Sequence, residues 1–243
     1  MSSENPIQNL HWLDPYAPEV PFPPLTNALK EPDGLLAFGG DLSITRLLNA
    51  YRHGIFPWYS EGQPIMWWSP DPRTVLFPAE LKISRSLRKT LKQKPFEITV
   101  NKAFELVVLT CAEPRAHDVG TWITPEMYRA YCRMHKHGHA HSVEAWQDGK
   151  LVGGLYGIAI GKVFFGESMF SRRSDASKVA FVHFVKWLKT LGFSLIDCQV
   201  ESAHLSSLGA TSIPREDFAR LLDQYCEIPV DNAHWQQTTL ELE

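Results

Sequence analysis

The chain has 243 residues, 44% of them hydrophobic and 21% charged, a length and balance that suit one large globular domain or two small ones. No apolar run approaches the roughly 20 residues that cross a bilayer, and the first residues lack a basic start followed by an apolar block. Neither a membrane-spanning nor a secreted protein is expected. The net charge of -3 excludes a polycation held on nucleic acid by bulk charge, so any such partner needs local positive charge. Four cysteines, at 111, 132, 198 and 226, stand far apart with no C-x-x-C, which fits a reducing cytoplasm better than a disulfide scaffold.

The first third differs from the rest. Eleven of the 17 prolines lie at or before Pro72, so stretches such as Pro21–Pro24 and Ser69–Pro72 cannot be helix interiors. One helix is expected there, capped by Asp41 or Ser43, with Ile44, Leu47, Leu48 and Tyr51 on one face and Gly54 as its stop. Residues 1–71 read as a small, loop-rich N-terminal domain and 72–243 as a second. Beyond Lys82–Lys94, a cationic helical stretch, Asn101 is expected to cap a helix carrying Phe104, Val107, Val108 and Cys111. Thr124-Pro125 starts another, which Gly138 ends.

Three strands are then expected at Ser142–Trp146, Leu151–Ile160 and Lys162–Met169. The separators Asp148-Gly149 and Gly161-Lys162 are short enough for antiparallel hairpins. A helix over about Asp175–Leu191, a strand at Phe193–Val200 and a helix near Arg215–Tyr225 complete the pattern. The class is α+β with a mixed, largely antiparallel sheet, and the second domain resembles the later part of the acetyltransferase (GNAT-like) fold.

Five features could carry chemistry. Lys82, Arg85, Arg88, Lys89 and Lys92 fall within an arc of about 120° on a helix, with Ile83, Leu87 and Leu91 on a separate arc. Such a row is a solvated face or a phosphate contact; the absence of an interleaved carboxylate favours the second. The indoles of Trp58, Trp67, Trp68 and Trp122 can stack on bases or build core. Glu167, between aromatic residues on an expected central strand, is either ion-paired or a site carboxylate. Strand alternation puts Asp197 and Gln199 on one face, where they could orient an amine or hydrogen-bond a loop. Histidines at 135, 137, 139 and 141 invite a metal reading, but Gly138 breaks the segment and no carboxylate or cysteine completes a site.

Taken in order, Gly34–Leu42, Gly54–Trp58, Met66–Arg73, Gly120–Ile123, Gly138–Ser142, Gly166–Ser171 and Leu195–Gln199 resemble the motifs of the bacterial leucyl/phenylalanyl-tRNA–protein transferase family. The resemblance runs from about Phe22 to Leu222. It implies transfer of Leu or Phe, and Met less well, from aminoacyl-tRNA to the α-amino group of proteins beginning with Arg or Lys. The product enters the N-degron pathway, and no cofactor, ATP or metal takes part. A monomer in the cytoplasm is expected, with no membrane partner.

Carried over position by position, Asp197 and Gln199 match the family's proposed catalytic pair, the glutamine accepting a hydrogen bond from the attacking amine. A neutral amide is a poor base, so Gln199 is expected to position more than deprotonate, and a proton path through the terminal ribose stays open. Glu167 matches a residue that binds the acceptor's positive N-terminus. Trp58 and Trp122 would stack on the terminal adenosine. Leu155, Phe164, Met169, Phe181, Phe184 and Ile196 would line the donor pocket, which would reject β-branched side chains. Leu155 replaces an expected methionine and Phe181 an expected leucine, changes that bear on donor preference. The cationic helix would meet the acceptor stem through charge and shape. Two competing readings are an acyl-CoA-dependent N-acetyltransferase and a tRNA-binding module. The first expects a glycine-rich loop where Phe170–Asp175 stands, and the second leaves Glu167, Asp197 and Gln199 unused.

Overall fold

A computed structural model describes residues 10–114, 121–236 and 238–240. In chain order the elements are β1 (His11–Leu13), β2 (Leu35–Gly39), α1 (Ile44–Arg52), β3 (Phe56–Pro57), β4 (Met66–Trp68), β5 (Arg73–Leu76), α2 (Arg85–Gln93) and β6 (Glu97–Val100). They continue with α3 (Phe104–Cys111), α4 (Pro125–Lys136), β7 (Ala140–Gln147), β8 (Lys150–Ile160), β9 (Val163–Ser171) and α5 (Ala176–Thr190). The last are β10 (Leu195–Gln199), α6 (Ala203–Ser207), β11 (Thr211–Ile213), α7 (Arg215–Tyr225) and β12 (Thr238–Thr239).

Strands β1–β4 form a four-stranded sheet, and the other eight form a second sheet ordered β11-β5-β10-β9-β8-β7-β6-β12. Within the second sheet β9 and β10 pair in parallel and the remaining pairs are antiparallel. This is the mixed, largely antiparallel α+β arrangement expected from the sequence. One core lies between this sheet and helices α1, α3, α4 and α7, and it includes Tyr51, Val107, Tyr131, Tyr156, Phe165 and Phe218. The other lies under α5 and holds Leu155, Phe164, Phe181, Phe184 and Ile196.

Local chemistry accounts for most helix starts. The hydroxyls of Ser43, Ser84 and Thr124 accept from backbone N–H groups three residues on, at Arg46, Leu87 and Met127. Asn101 departs from the expected role. Helix α3 starts from Ala103, and the buried Glu144 carboxylate accepts from the N–H groups of Lys102 and Ala103 at 3.4 and 3.3 Å. Asn101 instead adopts φ 57°, accepts from Ser142 N–H at 2.9 Å and donates Nδ2 to the Trp235 carbonyl at 2.6 Å. A carboxylate from a neighbouring strand outcompetes a local side chain here, a choice that sequence proximity does not reveal. Lys82 lies before α2, outside the helix it was expected to join.

Two irregularities shape the middle of the sheet. Tyr156 pairs with Ser168 and Gly157 with Gly166, which leaves Glu167 as an extra residue in β9. Strict alternation from Phe164 would send Met169 to the opposite side; the extra residue returns it to face α5, paired with Leu155. On β10, Asp197 pairs with Val75 and Gln199 with Thr74, so Cys198 is extra and Gln199 takes φ 62°. Gly157 is required by close approach, because a Cβ there would stand 2.1 Å from the Phe165 carbonyl oxygen and 2.6 Å from the Phe164 ring.

Candidate active site

Strands β9 and β10 pair only from Leu195–Val163 to Asp197–Phe165, while β9 runs on to Ser171. Beyond the last pair the two strands part, and a cavity of about 1020 Å³ opens between them. Leu155, Phe164, Met169, Phe181 and Ile196 form its apolar end, against α5. Glu167, Asp197 and Gln199 line its polar part, and Trp58, Trp68 and Trp122 line it from the N-terminal side. Phe184 does not reach the cavity. It is fully buried behind Phe164, with ring centroids 4.7 Å apart, and supports the wall from outside. Gly120 lies outside the described residues.

At the polar part, Arg73 and Asp197 form a fully buried ion pair. Arg73 Nε donates to Asp197 Oδ1 at 2.8 Å and Nη2 to Oδ2 at 2.6 Å, while Nη1 donates to the Gly54 carbonyl at 3.1 Å. The guanidinium lies 4.8 Å from each of the Phe56 and Phe218 ring centroids. Asp197 Oδ1 also accepts from the backbone N–H of Gln199 at 2.9 Å. That turn, and not strand alternation, brings Asp197 and Gln199 together.

Gln199 Nε2 donates to Glu167 Oε1 at 3.1 Å, which fixes the amide so that its own Oε1 is left to accept. Tyr131 donates to Glu167 Oε2 at 2.5 Å, and its hydroxyl lies 3.0 Å from that of Tyr51. A chain of polar contacts thus runs Arg73–Asp197–Gln199–Glu167–Tyr131–Tyr51, linking β5, β10, β9, α4 and α1. Burial pushes the Glu167 carboxyl up to about 7, against hydrogen bonds from Tyr131 and Tyr51 that lower it. Burial, then the charge of Glu167, pushes the phenols of Tyr51 and Tyr131 well above their ordinary value, so both stay protonated donors.

Sequence reasoning missed Arg73, Tyr51 and Tyr131 as members of this chain. The two tyrosines fell on apolar helical faces, where only their hydroxyls distinguished them, and Arg73 was one residue within a longer motif. Trp58 is 51% exposed, its ring 5.6 Å from that of Trp68, and Trp68 Nε1 donates to the Trp58 carbonyl at 2.7 Å. An indole held by its backbone and presented to solvent at a cavity mouth is available for stacking.

Lys82, Arg85, Arg88, Lys89 and Lys92 are all exposed, and among the described residues none of them forms an ion pair. The four-histidine run does not converge. His135 stacks on Phe104 and His141 on Trp235, while His137 Nδ1 lies 2.9 Å from the Arg133 carbonyl. Among the described residues no group of three or more His, Cys, Asp or Glu side chains could hold a metal ion.

An apolar hollow leads to an oriented amide and carboxylate between strands that part in mid-sheet, an arrangement able to hold an amine against an acyl group in the hollow. Comparison with known proteins makes the class specific. Residues 75–223 match the family described as leucyl/phenylalanyl-tRNA protein transferase, and residues 40–71 match the one described as its N-terminal domain. The chain is 64% identical over 207 residues to the leucyl/phenylalanyl-tRNA–protein transferase of Aromatoleum aromaticum, covering 85% of this chain and 86% of that one. It is 58% identical over 227 residues to that of Stutzerimonas stutzeri, covering 93% and 99%. The chain belongs to the leucyl/phenylalanyl-tRNA–protein transferase family and is an aminoacyltransferase that moves amino acids from tRNA to proteins.

Among solved structures, a GCN5-related N-acetyltransferase from Kribbella flavida is similar at 14% identity and a TM-score of 0.34, over 67% of this chain and 58% of that one. L-PGS from Bacillus licheniformis is similar at 11% identity and a TM-score of 0.39, over 84% and 66%.

Removing one member of the buried pair, as in Arg73→Met, should cost about 3–5 kcal/mol by urea denaturation, because Asp197 is left charged and unpaired. The double variant Arg73→Met/Asp197→Leu should regain most of that stability without regaining transfer activity. Glu167 yields a pH test with a defined sign. Its folded-state value of about 7 stands above the ordinary 4.5, so the native state binds the proton more tightly than the unfolded one. Wild-type stability should therefore fall as pH rises from about 4.5 to 7. Glu167→Gln should lack that fall, gaining up to roughly 3 kcal/mol on the wild type at pH 8 relative to pH 4 in paired denaturation curves.

Proposed function

We propose that the chain transfers leucine or phenylalanine, and methionine less well, from tRNA to the α-amino group of proteins beginning with Arg or Lys, marking them for N-degron-dependent degradation. The observation that carries this reading is the continuity of one cavity from the apolar hollow to the exposed indole of Trp58 and the Glu167–Gln199 pair. Leu155, Phe164, Met169, Phe181 and Ile196 bind the donor side chain by shape and dryness. Phe184 acts on that pocket through Phe164. Trp58 and Trp122 stack on the terminal adenosine.

Gln199 Oε1 receives the incoming amine, Glu167 faces its positive charge, and Asp197 holds the Gln199 backbone in place. The ester is intrinsically reactive, so holding amine and carbonyl in line supplies much of the rate. Lys82, Arg85, Arg88, Lys89 and Lys92 bind acceptor-stem phosphates, supported by their exposure and lack of competing carboxylates.

On this reading residues 1–71 form the small N-terminal domain and 72–243 the transferase domain; β1–β4 make their own sheet, and Arg73 opens β5 of the larger one. On the same reading the enzyme works in the cytoplasm as a monomer without a cofactor. Among the described residues no helix is long and apolar enough to cross a membrane.

Incubation with Phe-tRNA and an Arg-initiated peptide should yield the Phe-extended peptide by mass spectrometry. Acetylation of the same peptide from acetyl-CoA would favour an N-acetyltransferase instead. Separately charged Leu-, Phe- and Met-tRNAs rank the donors, and Ile-tRNA should be rejected. Replacing Arg88 and Lys89 by Ala should weaken tRNA binding and reduce the slope of log Kd against log salt by about 1–2. Unchanged binding would make the α2 cations an ordinary solvated face.

A further inference from the structure

We propose that Glu167 takes the proton from the acceptor's α-ammonium, with Gln199 holding the freed amine in line with the ester. The inference rests on the reading above that the acceptor is a polypeptide N-terminus. Such an amino group titrates near 7.7–8.0, so at neutral pH it arrives mostly as ammonium and has no lone pair with which to attack. A group in the cavity must remove one proton.

The polar groups that line the cavity narrow the choice. The Gln199 amide can accept a hydrogen bond but cannot hold a proton at neutral pH. Asp197 accepts from Arg73 Nε, Arg73 Nη2 and the Gln199 N–H, and its side chain is fully buried. Glu113 is exposed and paired with Arg172 at 2.5 Å. Asp33 is exposed and accepts from the Asp71 N–H at 3.3 Å. His204 lies on α6 and has no hydrogen bond with Gln199 or Glu167.

Glu167 stands directly beside the amide that would receive the amine, since its Oε1 accepts from Gln199 Nε2 at 3.1 Å. Its two oxygens offer about four acceptor positions, so beside the donors Gln199, Tyr131 and Tyr51 one remains for the acceptor's ammonium. The groups that face it are Tyr51 on α1, Tyr131 on α4, Tyr156 on β8, Asp197 on β10 and Arg73 on β5. Its carboxyl titrates at about 7, close to the amine it would serve, the condition under which a general base is most effective. Transfer of the proton also cancels both charges inside a largely apolar cavity, where separate ions are costly.

The step balances. One proton passes from the ammonium nitrogen to the Glu167 carboxylate. The nitrogen lone pair then forms the C–N bond at the ester carbonyl carbon, and the bond from that carbon to the ribose oxygen breaks with its electrons on oxygen. A second proton leaves the attacking nitrogen and completes the ribose hydroxyl. Glu167 releases its proton to solvent, so one proton is freed per peptide bond.

The test is kcat at saturating Phe-tRNA and saturating Arg-initiated peptide from pH 6 to 9. Glu167→Gln should be slower than wild type by about 5- to 10-fold at pH 6, where wild-type Glu167 is itself only partly ionised, and nearly equal to it at pH 9, where the amine is already neutral. A raised KM with a kcat ratio constant across pH would overturn the proposal and leave Glu167 a binding group only. Tyr131→Phe is the second variant. It removes a hydrogen bond that holds the Glu167 carboxyl down, so the acid limb of the kcat profile should move to higher pH. An unmoved limb in a folded Tyr131→Phe enzyme would equally overturn it, including where Glu167→Gln fails to fold. Wild-type enzyme that transfers nothing to the peptide at any pH would refute the acceptor reading itself, a result separate from both.

Discussion

Two charges with no exposure to water, Arg73 and Asp197, sit where the sheet opens. Taking each out of water costs several kcal/mol, and the pair is tolerable because the contact is bidentate and both groups make a further hydrogen bond. The guanidinium spends its donors on both carboxylate oxygens and the Gly54 carbonyl, and the carboxylate takes the Gln199 N–H as well. The pair therefore joins β5 to β10 and reaches the turn after α1. It also sets the left-handed backbone of Gln199, which aims the amide at Glu167. Without Arg73 the carboxylate would have to find water, and the amide would lose its reference point.

The same dryness serves both ends of the cavity. On the proposed reading, the α5 end rewards an apolar donor side chain by burial, and the flat and flexible side chains on its wall suit Leu, Phe or Met. At the other end burial raises the Glu167 carboxyl to about 7, the condition on which the proposed proton transfer from an amine depends. Tyr131 and Tyr51 temper that rise by donating to the carboxylate side of the site, and they connect the N-terminal helix α1 to the strand that carries Glu167. The N-terminal sheet is thus more than an appendage: it supplies Trp58 to the cavity mouth, while α1 supplies Tyr51 to the buried chain.

Much was legible before any coordinates. The periodicity of Ile44, Leu47, Leu48 and Tyr51 marked α1, Thr124-Pro125 marked the start of α4, and the short separators at 148–149 and 161–162 marked the hairpins of β7–β9. Signals of this kind are local, so neighbouring residues suffice to read them. The short strands β1 and β2 and the edge strands β11 and β12 carried no such signal, being only two to five residues long and set by their partners. Asn101 lost its expected cap to Glu144, 43 positions along the chain and adjacent only across β6 and β7.

By itself, the sequence determined helices α1–α5 and α7, strands β7–β10, the cationic row around α2 and the order of motifs that identifies the family. Hydrophobic period, turn chemistry and residue identity are properties of short segments. Tertiary structure alone decided which polar groups meet. The extra residue at Glu167 restores Met169 to the apolar end of the cavity, the turn after Asp197 redirects Gln199, and Phe184 ends up behind Phe164 instead of beside it. Each of these outcomes depends on the register between strands and on burial, and both are set by contacts among segments far apart in the chain.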